Sequence, residues 1–95
     1  MDNKEKMLLI LEAYYEKKYN NKEVNTTIFN FEGRHEAAYL LASLERDGLL
    51  QFDGEVIRPG GQRHPLYKNS VSMIWWSNAH ITRNGELELK ENGLI

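Results

Sequence analysis

The stretch LERDGLLQF, residues 44–52, constrains the fold more than any other part of the chain. Ahead of it, Ala37, Leu40, Leu41 and Leu44 recur at i, i+3, i+4 and i+7, the spacing of one helical face. That spacing predicts a helix over residues 34–47, entered at Gly33. Gly48 stands where this helix must stop, because a left-handed residue commonly closes a helix and glycine adopts that conformation without strain. Leu49 and Leu50 begin an extended segment at once. A helix that ends on one glycine and runs straight into a strand packs its leucine face on the sheet that follows.

The remaining elements are read in the same way. Met7, Leu8, Leu11, Tyr14 and Tyr15 share a helical face, which predicts a first helix over residues 3–19, ended by the Asn20-Asn21-Lys22 turn. Residues 24–31, VNTTIFNF, alternate β-branched and aromatic residues with Asn and Thr and predict a short strand, with a single broken helical turn as the other reading. Two long strands are expected over residues 49–58 and 68–81. Between them RPGGQRHP, residues 58–65, holds both prolines and a Gly-Gly pair and is a loop. Asp53-Gly54 marks a bulge or tight turn inside the first strand. In the second strand, alternation sets Val71, Met73 and Trp75 on one face and Ile74 and Trp76 on the other. Thr82 is a good N-cap for a last helix, although a capping box would place Glu where Gly85 stands. Ile81, Gly85 and Leu89 share a face of that helix, Leu87 lies off it, and Asn92-Gly93 ends it.

At 95 residues the chain is expected to form one domain, spanning residues 1–95, with one modest core. There is no cysteine, so disulfides and thiolate chemistry are excluded. No apolar run reaches the roughly 20 residues needed to span a bilayer. The N-terminal segment lacks a small-residue cleavage site and reads as a folded helix instead of a signal peptide. A cytoplasmic protein is the expectation. The net charge of −2 argues against a strongly electropositive nucleic-acid binder. The average hides an asymmetry: residues 56–85 contain no Asp or Glu but carry Arg58, Arg63, Lys68 and Arg83, so that third is +4 and the rest of the chain −6.

Helix, short segment, helix, hairpin, helix is the winged-helix order, an α+β fold with a helix-turn-helix core, a β-hairpin wing and a C-terminal helix. LERDGLLQ resembles the corner between recognition helix and first wing strand in many bacterial winged-helix regulators. ITRNGELELKENG and HPLYK resemble the corresponding segments of the YjcQ-like family of small bacterial and phage proteins. The resemblance covers residues 33–93. Two departures accompany it: VNTTIFNF offers no counterpart to the family's short second helix, and NSVSMIWWSNA is lengthened. The resemblance implies a shape, and it implies dimerisation through terminal helices as in many such regulators. It assigns no activity.

With the leucine face turned inward, Arg34, His35, Tyr39, Ser43 and Arg46 occupy outer positions, and the N-terminal half of a recognition helix reads base edges with such residues. Arg58, Gln62, Arg63, His64 and Lys68 surround the Gly-Gly tip, as in a basic wing lying on phosphates. Glu36, Glu45 and Asp47 interrupt the helix face. Ile74 and Trp76 are the candidate partner or dimer surface, since tryptophan is enriched at interface hot spots. Catalysis has little to stand on. His35-Glu36 lacks the second histidine of a zinc motif, RPGGQRHP lacks the Gly-Lys-Ser/Thr of a phosphate loop, and no serine sits in an elbow. No enzyme, metal, cofactor, membrane or small-molecule substrate is expected. Two readings stay open: a double-stranded-DNA-binding regulator or phage accessory factor, and a protein-interaction adaptor without DNA binding. The acid-free wing and the resemblance weigh narrowly for DNA.

Overall fold

The computed structural model describes residues 1–26, 29 and 31–95. Helix α1 spans Asn3–Asn20, α2 Arg34–Arg46 and α3 Arg83–Glu91. Strands β1 (Leu50–Phe52), β2 (Ile57–Arg58), β3 (Met73–Ile74) and β4 (Ala79–Ile81) build one folded-back ribbon, with a 3-10 turn at Trp76–Asn78 between β3 and β4. This α+β arrangement of three helices and an antiparallel hairpin is compatible with a winged-helix-like layout.

The expected stripe forms the core. Leu40, Leu41 and Leu44 are fully buried, against Ile10, Leu11 and Tyr14 of α1, Leu50 and Val56 of the ribbon, Ala79 and Ile81 of β4, and Leu89 of α3. Each such side chain contributes about 1.5–3 kcal/mol by leaving water. The corner is built as its residues require. Gly48 adopts φ +76°, and the Leu49 amide reaches back to the Leu44 carbonyl at 2.9 Å.

The Thr82 hydroxyl then ties the start of α3 to this corner. It donates to the Gly48 carbonyl at 2.6 Å and accepts from the Gly85 amide at 3.0 Å. Gly85 stands where a capping box would place Glu because there is no room for a side chain. A Cβ there would lie 2.3 Å from the Leu49 carbonyl oxygen and 2.7 Å from Ile81.

The two long strands are shorter than expected and broken in the middle. β1 pairs with β4 through Leu50–Ile81, Gln51–His80 and Phe52–Ala79, and β2 pairs with β3 through Ile57–Ile74 and Arg58–Met73. The break has a cause in α1. The Tyr14 hydroxyl donates to the Trp76 carbonyl at 2.7 Å, and the Lys17 ammonium donates to the Ser77 and Ala79 carbonyls at 3.0 and 3.1 Å. The Trp76 and Ser77 carbonyls are thus bonded to a helix and not to a strand, while Ala79 stays paired with Phe52, and the opposite arm bends at Gly54, φ +86°. Strand alternation fails with it. Val71 is buried while Met73 and Trp75, expected on its face, are exposed.

The strand expected over residues 24–31 is not seen among the described residues. The Phe29 amide bonds to Thr26 and the Phe31 amide to Phe29, local turn bonds and not a ladder. Phe29 is buried, stacks on Phe31 at 5.1 Å and meets Trp76 at 5.7 Å. Aromatic burial at the turn thus replaces strand pairing. Thr27, Ile28 and Asn30 lie outside the described residues.

Candidate nucleic-acid interface

The hairpin does not project as an extended wing. Beyond β2 and before β3 the chain folds over the outer face of α2, and four contacts hold it there. The Asn69 side-chain amide donates to the His35 carbonyl at 3.0 Å, and the Tyr67 hydroxyl donates to Glu36 at 2.8 Å. The Arg34 Nε donates to the Val71 carbonyl at 2.6 Å, and the imidazoles of His35 and His64 lie 4.9 Å apart. The tip is itself a compact turn. The His64 amide bonds to Asn69, the Lys68 amide to His64, and the His64 Nδ1 accepts from the Leu66 and Tyr67 amides at 3.2 and 3.3 Å.

Glu36 is the hub of this arrangement. It is 4% exposed, yet ionised. Both its oxygens accept from the Lys6 ammonium at 2.9 Å, and the Glu32 amide donates at 3.2 Å. Burial alone would raise this carboxyl; the bonds from Lys6, Tyr67 and the Glu32 amide outweigh it and leave the group below the ordinary carboxylate value. The same bond works on the partner. Donation to Glu36, with burial behind it, pushes the Tyr67 phenol up to about 12. One buried carboxylate therefore joins α1, α2, the segment before α2 and the hairpin tip.

The expected DNA-contacting residues fall into three groups. Arg34, His35, His64 and Lys68 come together where the tip meets the start of α2. Gln62 and Arg63 are exposed on the tip, and Arg58 is exposed with its Nε 3.6 Å from Glu55. Tyr39 is partly exposed at the edge of the covering, its ring 5.7 Å from Tyr67.

Ser43 departs from expectation. It is buried, donates to the Tyr39 carbonyl at 2.9 Å and accepts from Arg46 at 3.3 Å, so its hydroxyl is used within the helix. Arg46 keeps an exposed position at the far end. The hairpin returns here: Ile57, Tyr67 and residues 69–71 face Ala38, Tyr39, Ala42, Ser43 and Arg46 across a cleft of about 270 Å3.

The residues expected to meet a partner are only partly accessible. Ile74 and Trp76 are half-buried and pack on the core, because the Tyr14 bond draws the Trp76 backbone inward. The outward apolar pair is Met73 and Trp75, 43% and 42% exposed.

Charge is sorted across this surface. The acid nearest its centre, Glu36, is buried and neutralised by Lys6, while Glu32 stays at the rim with its Oε2 3.5 Å from the Tyr67 hydroxyl. His35 is held below the ordinary imidazole value by burial first, and then by the neighbouring Arg34 and His64. Glu36, Lys6, Tyr67 and Asn69 were not among the residues singled out from sequence. For Glu36 a signal exists, since it lies four residues before Leu40 and so falls on the buried stripe. Nothing local marks its partners.

Among the described residues no group of three or more His, Asp or Glu side chains is placed to hold a metal ion, and no helix is long and apolar enough to cross a membrane. No family model, no curated protein and no solved structure matches this chain.

Proposed function

We propose that this chain is a DNA-binding protein on a winged-helix scaffold, of the transcriptional-regulator or phage-accessory kind, with a surface drawn from two elements. The start of α2 contributes Arg34 and His35. The hairpin contributes Arg58, Gln62, Arg63, His64 and Lys68. The observation that carries the reading is the contact of the His64 ring with that of His35, tilted at 35° with centroids 4.9 Å apart. It brings the acid-free third of the sequence against the start of α2, where the intervening Glu36 is already matched by Lys6. Such a surface suits phosphate contact, in which each Arg or Lys displaces counterions and gives register without reading sequence. The covered middle of α2 is poorly placed to read base edges in this arrangement, so binding is dominated by the duplex backbone.

The test is a mobility-shift titration on mixed-sequence duplex at low and moderate salt, with an Arg58→Ala/Arg63→Ala variant beside the wild type. Salt-sensitive binding that weakens in the variant supports the reading. Absence of binding at low salt removes it.

A second reading is a protein-interaction adaptor. One observation favours it: Met73 and Trp75, two residues apart in the hairpin, are each more than two-fifths exposed. Large exposed side chains of this kind are hot-spot types.

A further inference from the structure

The covering of α2 by the hairpin tip is under strain at three independent points. Lys68 adopts φ +58°, a left-handed conformation that is uncommon for a residue with a side chain. The His35 Nε2 and Asn69 Oδ1 are buried without a hydrogen-bond partner, and such atoms lose the solvation they would have in water. The His35 and His64 rings lie 4.9 Å apart, with the Arg34 guanidinium beside His35, so a positive charge added here meets one already in place. All three lie where residues 64–71 meet α2.

We propose that this segment is a pH-responsive cover, closed over α2 while His64 is neutral and released when His64 takes up a proton. The chemistry is in the turn. His64 Nδ1 accepts from the Leu66 and Tyr67 amides, and an acceptor must carry a lone pair. A proton entering at Nδ1 occupies that lone pair, so both bonds break, and the new charge faces His35 and Arg34. No second molecule takes part; the proton comes from solvent.

The groups facing the pair make the sign definite. From α2 these are Arg34, Glu36 and Tyr39; from the tip, Arg63, Tyr67 and Lys68; from the segment before α2, Glu32. Glu36 is already satisfied by Lys6, Tyr67 and the Glu32 amide and has no bond to either imidazole. Glu32 is directed to the Tyr67 hydroxyl, 3.5 Å away. The surroundings of the pair are therefore net basic, and protonation there opposes closure.

Release would uncover Ala38 and the rest of His35, beside Tyr39 and Ala42, which are already exposed, on the part of α2 a groove would meet. That consequence rests on the DNA reading; the cover itself does not. The experiment contains no DNA, so the two can fail separately. Amide exchange is followed by NMR from pH 8 to 5.5, corrected for intrinsic rates, in wild type and in His64→Asn, which keeps a side-chain acceptor that does not titrate.

In wild type, protection of the Leu66, Tyr67, Lys68 and Asn69 amides should fall by about tenfold or more as imidazole titrates, while α1 amides keep theirs. In His64→Asn the same amides should show no such fall. A second readout on wild type alone follows the His64 ring carbon shift, whose midpoint should coincide with the loss of protection. Unchanged tip protection in wild type between pH 8 and 5.5, an equal loss in the variant, or a loss that tracks a carboxylate instead of the imidazole would each overturn the proposal.

Discussion

The hydroxyl of Tyr67 reaches 31 residues back along the chain to the carboxylate of Glu36, at 2.8 Å, and that carboxylate is held from its other side by Lys6. The hairpin tip and the first helix are thus joined through one buried negative charge. A buried ion pair is weak evidence of net stabilisation, but removing one partner is costly because the other stays buried and uncompensated.

Glu36→Ala should lower the unfolding free energy by about 3 kcal/mol, measured by urea denaturation at pH 7. The sign with pH follows from the depressed carboxyl. The folded state holds Glu36 below its unfolded value, so its contribution is complete above the ordinary carboxylate range and is lost as pH falls through the folded value. The stability gap between wild type and Glu36→Gln should be constant from pH 7 to pH 5 and should narrow below about pH 4. A gap that persists unchanged to pH 2.5 would contradict the ionised hub.

Tyr67→Phe removes the same bond from the other end without changing charge at neutral pH. Tip amides at residues 66–69 should exchange several-fold faster while those of α1 hold. Here the phenol is raised by its bond to Glu36, so its contribution is present below about pH 10 and is lost as pH climbs through about 12. Wild type should lose tip protection across that alkaline window, and Tyr67→Phe should have none of it to lose.

Gly85→Ala tests the corner. An added Cβ meets the Leu49 carbonyl oxygen at 2.3 Å, which is backbone and cannot swing aside. A helix-favouring substitution should therefore destabilise, by about 2–3 kcal/mol as overpacking does. Asn84→Ala, next to it and exposed, should fall within about 0.5 kcal/mol of wild type. Equal stability of the two variants would mean α3 does not seat against the end of β1 as described.

Thr82→Val keeps the shape and removes the hydroxyl that serves both Gly48 and Gly85. A loss of about 1–2 kcal/mol in chemical denaturation is expected, in the range of a helix cap. A neutral result would remove the tie between the two corners.

What could be read from the residues was what is local. The stripe through Leu40, Leu41 and Leu44, the stop at Gly48 and the cap at Thr82 depend on spacing within one helix or one turn, and all three appear in the structure. The strand break at Trp76–Asn78 was not legible, because it comes from Tyr14 and Lys17, about 60 residues away. Trp75 and Trp76 exchanged roles for the same reason: the alternation assumed an unbroken ladder. The candidate site divides likewise. The basic tip showed in the composition, but its folding over α2 depends on Glu36 accepting from Tyr67, a pairing that no spacing rule connects. Residues 24–31 read as a strand because β-branched and aromatic residues favour one, while the burial of Phe29 against Trp76 is a tertiary matter.

The most direct measurement of the central claim is the salt dependence of duplex binding. If Arg34, Arg58, Arg63 and Lys68 act together on phosphates, the logarithm of the association constant should fall against the logarithm of salt concentration with a slope of about −3 to −4. The slope should become shallower by about 2 in the Arg58→Ala/Arg63→Ala variant. A duplex that does not bind at 20 mM salt, or a slope that is the same in both proteins, would contradict the account.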